Sequence, residues 1–156
     1  MSLRETAIDW SKGDCLAGFW RLYRWREKCR RKFLRDVLTF LLNRSAYRHG
    51  GYLGNGAAFA GVPSLPHGLH GVYISRYAYI GAGCRIYQNV TIGEVNGQAP
   101  HIGDRCLIGA GAMLVGGIRV GNDVKIGAGA VVGVDVPDHA TVVAQPPRIL
   151  VRGDAV

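Results

Sequence analysis

Residues 108–132 read IGAGAMLVGGIRVGNDVKIGAGAVV, and this stretch decides the fold. Within it an aliphatic residue recurs at every sixth position, at Ile108, Leu114, Val120, Ile126 and Val132. The same frame extends toward the N-terminus through Ile74, Ile80, Ile86, Ile92 and, after a ten-residue step, Ile102. An α-helix cannot use this period, because six is not a near multiple of 3.6 residues per turn. Short strands joined by tight turns can use it, so the period predicts a parallel β-helix.

A second inward position follows the same frame. Four residues after each aliphatic residue stands a small or branched apolar residue, at Ala78, Cys84, Val90, Cys106, Ala112, Ile118, Val124, Ala130 and Val136. The residue directly after the aliphatic one is usually glycine, which suits a corner between two short strands. A fainter frame precedes the regular one at Leu53, Phe59 and Leu65. The pattern predicts coils with a narrow interior in which side chains stack.

Two glycine-rich triplets allow a competing interpretation. Gly109-Ala110-Gly111 and Gly127-Ala128-Gly129 match half of a dinucleotide-binding fingerprint. Both lack the third glycine at its proper spacing and the long helix that should follow it. We therefore interpret these glycines as corners of a coil and not as a phosphate-binding loop.

Composition and charge narrow the class of protein. The 156 residues include 23 glycines, and 48% of the chain is hydrophobic, so there is enough apolar surface to fold and disorder is excluded. The glycines show no period of three, which excludes collagen. Residues 1–50 hold 12 of the 19 Lys and Arg residues but five of the 11 Asp and Glu residues. Nearly all of the net charge of +8 therefore lies in the first third of the chain.

That basic first third is predicted to be helical over residues 14–48. An apolar stripe at three- and four-residue spacing supports the prediction, and its members are Phe33, Leu34, Val37, Leu38, Leu41 and Leu42. Gly50 and Gly51 end the helix, because glycine readily adopts the positive φ of a C-terminal cap. The longest apolar run, residues 37–42, is too short to cross a bilayer.

Targeting and cysteine usage point to a reduced compartment. Arg4, Glu5 and Asp9 interrupt the place where the apolar region of a signal peptide would lie. The four cysteines form no CxxC pair and no metal-ligand spacing. We expect a cytoplasmic protein, and the alternative location is peripheral, at the inner face of the membrane.

Four stretches carry a resemblance to a known family: LPHGLHGVYIS (65–75), RIYQNVTIG (85–93), the opening stretch 108–132 and DVPDHATVVAQPPRI (135–149). They resemble the hexapeptide-repeat acyltransferases, and within them the serine acetyltransferase-like group. The resemblance covers residues 53–150. It implies a mainly β fold, a left-handed parallel β-helix of hexapeptide repeats with three hexads per coil. It also implies a homotrimer with active sites between neighbouring subunits.

The resemblance divides the chain into three parts. Residues 1–50 form a basic amphipathic helical region, residues 51–136 the β-helix with a projecting loop at 93–101, and residues 137–156 a C-terminal extension. In this geometry Cys84 and Cys106 lie one coil apart in the same column, about 4.8 Å from backbone to backbone. We interpret them as stacked core thiols, because free cysteine is commonly buried. A disulfide is the alternative.

His67 is the predicted catalytic residue. In the family the catalytic histidine follows an aliphatic residue by two positions, shortly before the regular hexads, and Leu65-Pro66-His67 matches that placement. A neutral imidazole can remove the proton of an acceptor hydroxyl as the hydroxyl attacks the thioester of acetyl-CoA. The alternative is a structural or solvated histidine. The family often has Asp before this histidine, where this chain has Pro66, so a backbone carbonyl or Glu94 must orient the imidazole.

The residues expected at the acceptor are His70, Glu94 and His101. His70 is near enough in sequence to His67 to touch the acceptor, and an exposed turn residue is its alternative. Serine acetyltransferases have Arg-His-Pro-x-Ile at the end of the projecting loop, where the Arg-His pair helps to hold the amino acid. This chain has Gln98 and Ala99 at those two positions. A sugar of a surface polysaccharide is therefore the expected acceptor, with serine as the alternative.

Coenzyme A binding is implied along the corner backbone of the coil, at the matching positions Gly93, Ala110 and Ala128. Arg148 occupies the basic place of the family's C-terminal signature and, with Lys125, would meet the phosphates. A solvated surface charge is the alternative for Lys125. No metal is expected, although γ-type carbonic anhydrases bind zinc with three histidines in the same fold, and His67, His70 and His101 form that alternative set.

The basic helices have three candidate partners. They pack on the β-helix or on a neighbouring trimer, giving a dimer of trimers, or they rest on an anionic membrane surface. Nucleic acid is the third candidate, and we expect none because no binding motif accompanies the charge. For the whole chain, the alternative to an enzyme is a non-catalytic β-helix that serves as an oligomerisation scaffold.

Overall fold

A computed structural model of the chain describes residues 16–146. Two helices come first, α1 (Ala17–Lys28) and α2 (Lys32–Arg48). Thirteen short strands follow, β1 to β13 in chain order: Tyr52–Leu53, Ala58–Phe59, Tyr73–Ile74, Tyr79–Ile80, Arg85–Ile86, Thr91–Gly93, His101–Ile102, Leu107–Ile108, Met113–Val115, Arg119–Val120, Lys125–Ile126, Val131–Val132 and Thr141–Val142. The predicted fold class is confirmed, because these strands wind into a β-solenoid of about four turns behind two helices.

Three parallel sheets form the walls of the solenoid. Sheet A has the order β1-β3-β6-β9-β12, sheet B the order β2-β4-β7-β10, and sheet C the order β5-β8-β11-β13. Successive strands of one sheet are 18 residues apart in the regular part, for example Ile108 paired with Ile126. The last strand, β13, pairs with β11, so sheet C continues into the segment assigned from the sequence to the C-terminal extension.

The interior of the solenoid follows the six-residue frame. All ten aliphatic residues of the frame are buried, with side chains at most 3% exposed. The small or branched residues four positions later are buried as well. The glycine triplets lie at corners between sheets and not before a helix, so the dinucleotide-binding interpretation is excluded. The alternation of inward and outward side chains along each strand thus explains the core of the regular coils.

The cysteine column is present as predicted. Cys84 and Cys106 are free and buried, and each precedes a strand of sheet C, in the register that pairs Arg85 with Leu107. The Cys84 thiol donates to the carbonyl of Gly103 at 3.2 Å. A hydrogen bond with Cys106 and burial both raise the pKa of the Cys84 thiol, so it remains protonated at neutral pH.

The corner between sheets B and C is closed by a ladder of side chains. Each carboxylate or amide oxygen accepts from the backbone N–H one coil earlier: Asp104 from Ala82, Asn122 from Asp104, and Asp138 from Asn122, all at 2.7–2.8 Å. The ladder satisfies corner N–H groups that no strand can pair.

The outer side of this corner carries an ion pair. The guanidinium of Arg105 donates twice to the carboxylate of Asp123, and this contact holds the pKa of Asp123 below its usual range. Together, the ladder and the ion pair give this corner a structural role.

The two helices cover the first coil. Phe19 and Trp20 are buried, and the Trp20 ring packs edge-on against Phe59 with centroids 5.4 Å apart. The Tyr23 hydroxyl donates to the carbonyl of Ala57 at 2.8 Å, which ties α1 to the solenoid. Burial raises the pKa of Tyr23 to about 12.

The predicted apolar stripe of α2 is divided by the structure. Leu38 and Leu42 are buried, whereas Phe33, Leu34, Val37 and Leu41 are exposed. Because α2 is apolar around much of its circumference, only one of its faces can lie on the first coil.

Candidate active site

A short loop, residues 65–72, positions His67. Ser64 bridges to Arg85 on sheet C, and sheet A resumes at Tyr73. Between them Leu69 and Val72 are fully buried and anchor the segment, while His67 remains exposed. The His67 ring packs against the ring of Tyr87 on the next coil, with centroids 6.0 Å apart.

His67 therefore stands at the start of the corner between sheets C and A, which we call corner CA and which comprises residues 87–89, 109–111 and 127–129. The strand register places Tyr87 above Gly109 and Gly109 above Gly127, since their N–H groups donate to Ile108 and Ile126 of the following coils. One position further along the corner, Gly129 N–H donates to the carbonyl of Ala110. The predicted coenzyme A positions Ala110 and Ala128 thus stack on the same corner as His67.

The backbone of corner CA is open to a ligand. Ala110 is partly exposed and Ala128 exposed, and a Cβ added at Gly111 or Gly129 would meet no atom within 4 Å. At the far end of the corner a groove of about 510 Å³ lies between Gly129 and the segment 143–145. This edge therefore presents accessible backbone groups to a ligand.

The group that orients His67 is not found in the part of the chain that the structure describes. Within residues 16–146 no hydrogen bond to the His67 imidazole is present, and its contact is the Tyr87 ring. Glu94, the carboxylate proposed for this role, accepts from the Ser75 hydroxyl at 2.6 Å instead. Glu94 follows β6, at the far edge of sheet A from corner CA.

The other predicted histidines lie in different places. His70 is exposed and close to His67 in the same loop. Its carbonyl accepts a hydrogen bond from the backbone N–H of Asn89 at corner CA. His101 projects outward from sheet B and stacks on Tyr79, with centroids 4.3 Å apart. Within one chain, therefore, the structure brings His70 but not His101 to the neighbourhood of His67.

The predicted cations of the coenzyme A groove are only partly described. Lys125 is exposed at the start of β11 on sheet C, three residues before Ala128. Its role in binding coenzyme A remains a prediction. Arg148 lies outside the described residues.

Gly93 and the projecting loop occupy the opposite edge of sheet A. The loop is a tight hairpin in which Val95 and Gln98 pair antiparallel. Asn96 and Gly97 have φ of 52° and 76°, which is typical of a type I′ turn. Gly93 therefore does not share a corner with Ala110 and Ala128, and a single chain cannot line one groove with all three.

A second groove, of about 460 Å³, lies along sheet A beside this loop. Its polar lining includes Ser75, Arg76, Thr91 and Glu94, and tyrosines complete it at residues 52, 73 and 77. Arg76 belongs to none of the sequence motifs described above. Arg76 stands two residues after β3, one coil above the loop from which the family's arginine is missing. That position is the signal that could have identified it.

Neither a metal-binding cluster nor a membrane-spanning helix is found among the residues that the structure describes. Among residues 16–146 no three His, Cys, Asp or Glu side chains come close enough to hold a metal ion, and His101 lies on a different face from His67 and His70. In the same residues no helix has the length and apolar content needed to cross a membrane.

Known proteins match this chain in sequence. A family model described as bacterial transferase hexapeptide (six repeats) matches residues 99–133. A serine acetyltransferase of Synechococcus elongatus is 42% identical over 92 residues, which are 56% of this chain and 37% of that protein. The serine acetyltransferase of Bacillus subtilis is 44% identical over 92 residues, covering 56% of this chain and 42% of that protein. The chain thus spans well under half the length of these relatives.

Solved structures match over more of the chain. The serine acetyltransferase of Neisseria gonorrhoeae in complex with serine superimposes with a TM-score of 0.72 at 32% identity, covering 84% of this chain and 55% of that one. Soybean serine acetyltransferase complexed with serine gives a TM-score of 0.70 at 32% identity, covering 89% and 57%. At 32% identity and TM-scores of 0.70 and 0.72, the chain is similar to these structures in sequence as well as in fold.

Proposed function

We propose that this chain transfers an acetyl group from acetyl-CoA to the hydroxyl of serine. The chain belongs to the hexapeptide-repeat transferase family and is homologous to serine acetyltransferases. One structural observation carries the proposal. The exposed imidazole of His67 stands at the head of corner CA, where Ala110 and Ala128 present open backbone on successive coils. A base and a groove for the acyl donor thus share one edge of the solenoid.

The reaction that fits this arrangement is direct transfer without an acyl-enzyme. His67 takes the proton of the acceptor hydroxyl while the hydroxyl oxygen attacks the thioester carbonyl. A carbon–oxygen bond forms and the carbon–sulfur bond breaks. The proton held by His67 then passes to the departing thiolate, so His67 is restored. Backbone N–H groups at the corner would stabilise the oxyanion of the tetrahedral intermediate.

Serine replaces the sugar expected from the sequence. The expectation of a sugar rested on Gln98 and Ala99, which stand where the family has its Arg-His pair. The relatives matched in sequence and structure are serine acetyltransferases, and they give a sugar acceptor no support. The family resemblance of the whole coil therefore outweighs two loop positions in the choice of acceptor.

The proposed assembly is a homotrimer. Corner CA holds His67, Ala110 and Ala128, whereas Gly93 and Glu94 lie at the other edge of sheet A. If a neighbouring copy placed its Gly93 and Glu94 against corner CA, the residues of the two edges would form one site between the copies. The helices would add contacts between copies, with a peripheral membrane contact as the alternative use of their exposed apolar and basic residues.

The experiment is thiol release from acetyl-CoA in the presence of serine or a panel of sugars. We expect turnover with serine, and we expect His67→Ala to lower kcat about 100-fold or more, the range typical of a general base. His139→Ala is the matched control, because His139 is exposed at the corner between sheets B and C. Full turnover by His67→Ala would exclude the mechanism, and no turnover with any acceptor would favour the non-catalytic scaffold.

A further inference from the structure

The groove on sheet A holds two opposite charges that do not pair with each other. Arg76 and Glu94 both line it, and they belong to neighbouring coils because β3 pairs with β6. Within residues 16–146 neither side chain forms an ion pair, and the Arg76 guanidinium lies over the Tyr77 ring at 6.0 Å from the centroid. Both charges therefore remain available to a ligand.

Hydrogen bonds hold the acidic side of the groove in place. The Ser75 hydroxyl donates to Glu94 Oε2 at 2.6 Å, and the backbone N–H of Tyr77 donates to the Ser75 hydroxyl oxygen at 3.2 Å. The Glu94 carboxylate is thus fixed to the residue that precedes Arg76. Its other oxygen is left to accept from a cation.

We propose that this groove is the amino-acid subsite of the enzyme, in which Arg76 binds the α-carboxylate of the acceptor and Glu94 binds its α-ammonium. The inference rests on the proposed function and names the residues that select its substrate. A planar guanidinium suits a carboxylate, since it can donate two parallel hydrogen bonds. A free α-amino acid carries the two complementary charges at neighbouring atoms.

The loop composition explains why such a cation is needed. Gln98 is neutral and Ala99 is apolar, so the hairpin itself offers no positive charge to a carboxylate. Arg76 lies on the coil directly above β6 and its hairpin, and its charge faces the same groove as Glu94. The cation required for an amino-acid acceptor is therefore present, but on the coil and not on the loop.

The position of the groove determines how it serves His67. Asn89 at corner CA and Glu94 lie beyond opposite ends of β6 (Thr91–Gly93), a strand about 10 Å long at the usual rise per residue. A serine held by Arg76 and Glu94 cannot bring its hydroxyl to His67 across that distance. The subsite would therefore complete the active site of a neighbouring copy, whose corner CA lies against this edge.

The decisive experiment compares steady-state kinetics of the full chain with those of Arg76→Gln and Glu94→Gln. We expect each substitution to raise the KM for serine about tenfold to a hundredfold, the loss typical of a hydrogen bond to a charged group. The KM for acetyl-CoA and the kcat at saturating serine should change little. Arg119→Gln is the control, because Arg119 is an exposed arginine on sheet B.

Serine methyl ester separates a carboxylate contact from a general disturbance of the site. The ester lacks the negative charge, so its KM should be high in the wild type and nearly unchanged by Arg76→Gln. An equal rise for serine and the ester, or no rise for serine, would overturn the assignment of Arg76 even though serine acetyltransferase activity stands.

Direct binding tests the subsite if transfer fails. Calorimetric titration of the full chain with serine should show binding that weakens at least tenfold in Arg76→Gln. Such a result would support the subsite even if no acetyl transfer occurred and the proposed function failed. Absence of both serine binding and serine turnover in the wild-type chain would overturn it. Unchanged far-ultraviolet circular dichroism of the variants checks that they remain folded.

Discussion

The solenoid and the helices use their apolar residues differently. In the solenoid every member of the six-residue frame is buried, and the outward neighbours are largely polar or exposed. In α2 the apolar stripe is split, with Leu38 and Leu42 buried and Phe33 and Leu41 exposed. A strand shows alternate faces, so its sequence specifies what is inward, whereas a helix that is apolar on several sides does not specify which side packs.

The two regions also differ in charge and in how their backbone is paired. The solenoid is almost neutral, and its coils are joined by parallel ladders and by the Asp104, Asn122 and Asp138 ladder at one corner. The helices carry most of the positive charge, and within residues 16–146 they contact the first coil and each other. All residues proposed for the chemistry therefore belong to the solenoid, and none of them lies on the helices.

Truncation of one aliphatic residue in each region gives the largest expected contrast. Ile108→Ala removes a fully buried side chain from an inner strand of sheet C, and we expect a loss of about 2–5 kcal/mol in the free energy of unfolding. Leu41→Ala on the exposed side of α2 should cost less than about 1 kcal/mol. Urea denaturation measures both. Equal losses would show that a second copy or another partner covers α2 in solution.

Glycine substitution should change stability with opposite signs in the two regions. A Cβ at Gly103 would lie 2.7 Å from both the Asn122 Oδ1 and the backbone of Gly121, so Gly103→Ala should destabilise by about 1–3 kcal/mol. A Cβ at Gly18 would meet nothing within 4 Å, and Gly18→Ala should stabilise α1 by up to about 1 kcal/mol. Thermal unfolding checks the signs. Destabilisation by Gly18→Ala would show that α1 is packed more closely than the structure indicates.

The hydrogen bond between the regions gives the smallest effect. Tyr23→Phe leaves the Ala57 carbonyl without its donor and should cost about 1 kcal/mol at neutral pH. Because the pKa of Tyr23 is raised from 10.0 to about 12 in the folded chain, the protonated form is stabilised by folding. That contribution is present below pH 10 and is lost as the pH rises toward 12.

Urea denaturation at pH 8 and at pH 11 measures this difference between wild type and Tyr23→Phe. The difference should shrink at the higher pH. Tyr47→Phe is the matched control, since Tyr47 is an exposed tyrosine of α2. A difference that stays constant with pH would mean that the hydroxyl does not hold α1 to the solenoid.

Much of the solenoid could be predicted because its rules are local. The frame from Ile74 to Val132 fixed the strands. Cys84 and Cys106 fell into one column once the four extra residues of the ten-residue step from Ile92 to Ile102 were counted. The position of His67 before the first regular hexad also followed from the sequence, and its catalytic role remains a prediction. Arg76 was missed because it is an ordinary outward residue of the frame, and only its neighbours on the next coil distinguish it.

The sequence by itself determined the coil, its corners and the concentration of charge in the first third of the chain. These features depend on spacing of six residues or fewer and on composition, so no long-range contact is needed to read them. The tertiary structure alone decided that Ala110 and Ala128 share a corner with His67 while Gly93 and Glu94 lie across sheet A. It also decided which side of α2 is buried. Residues 18 or more positions apart become neighbours only when the coils stack, and stacking sets which side chains share a surface.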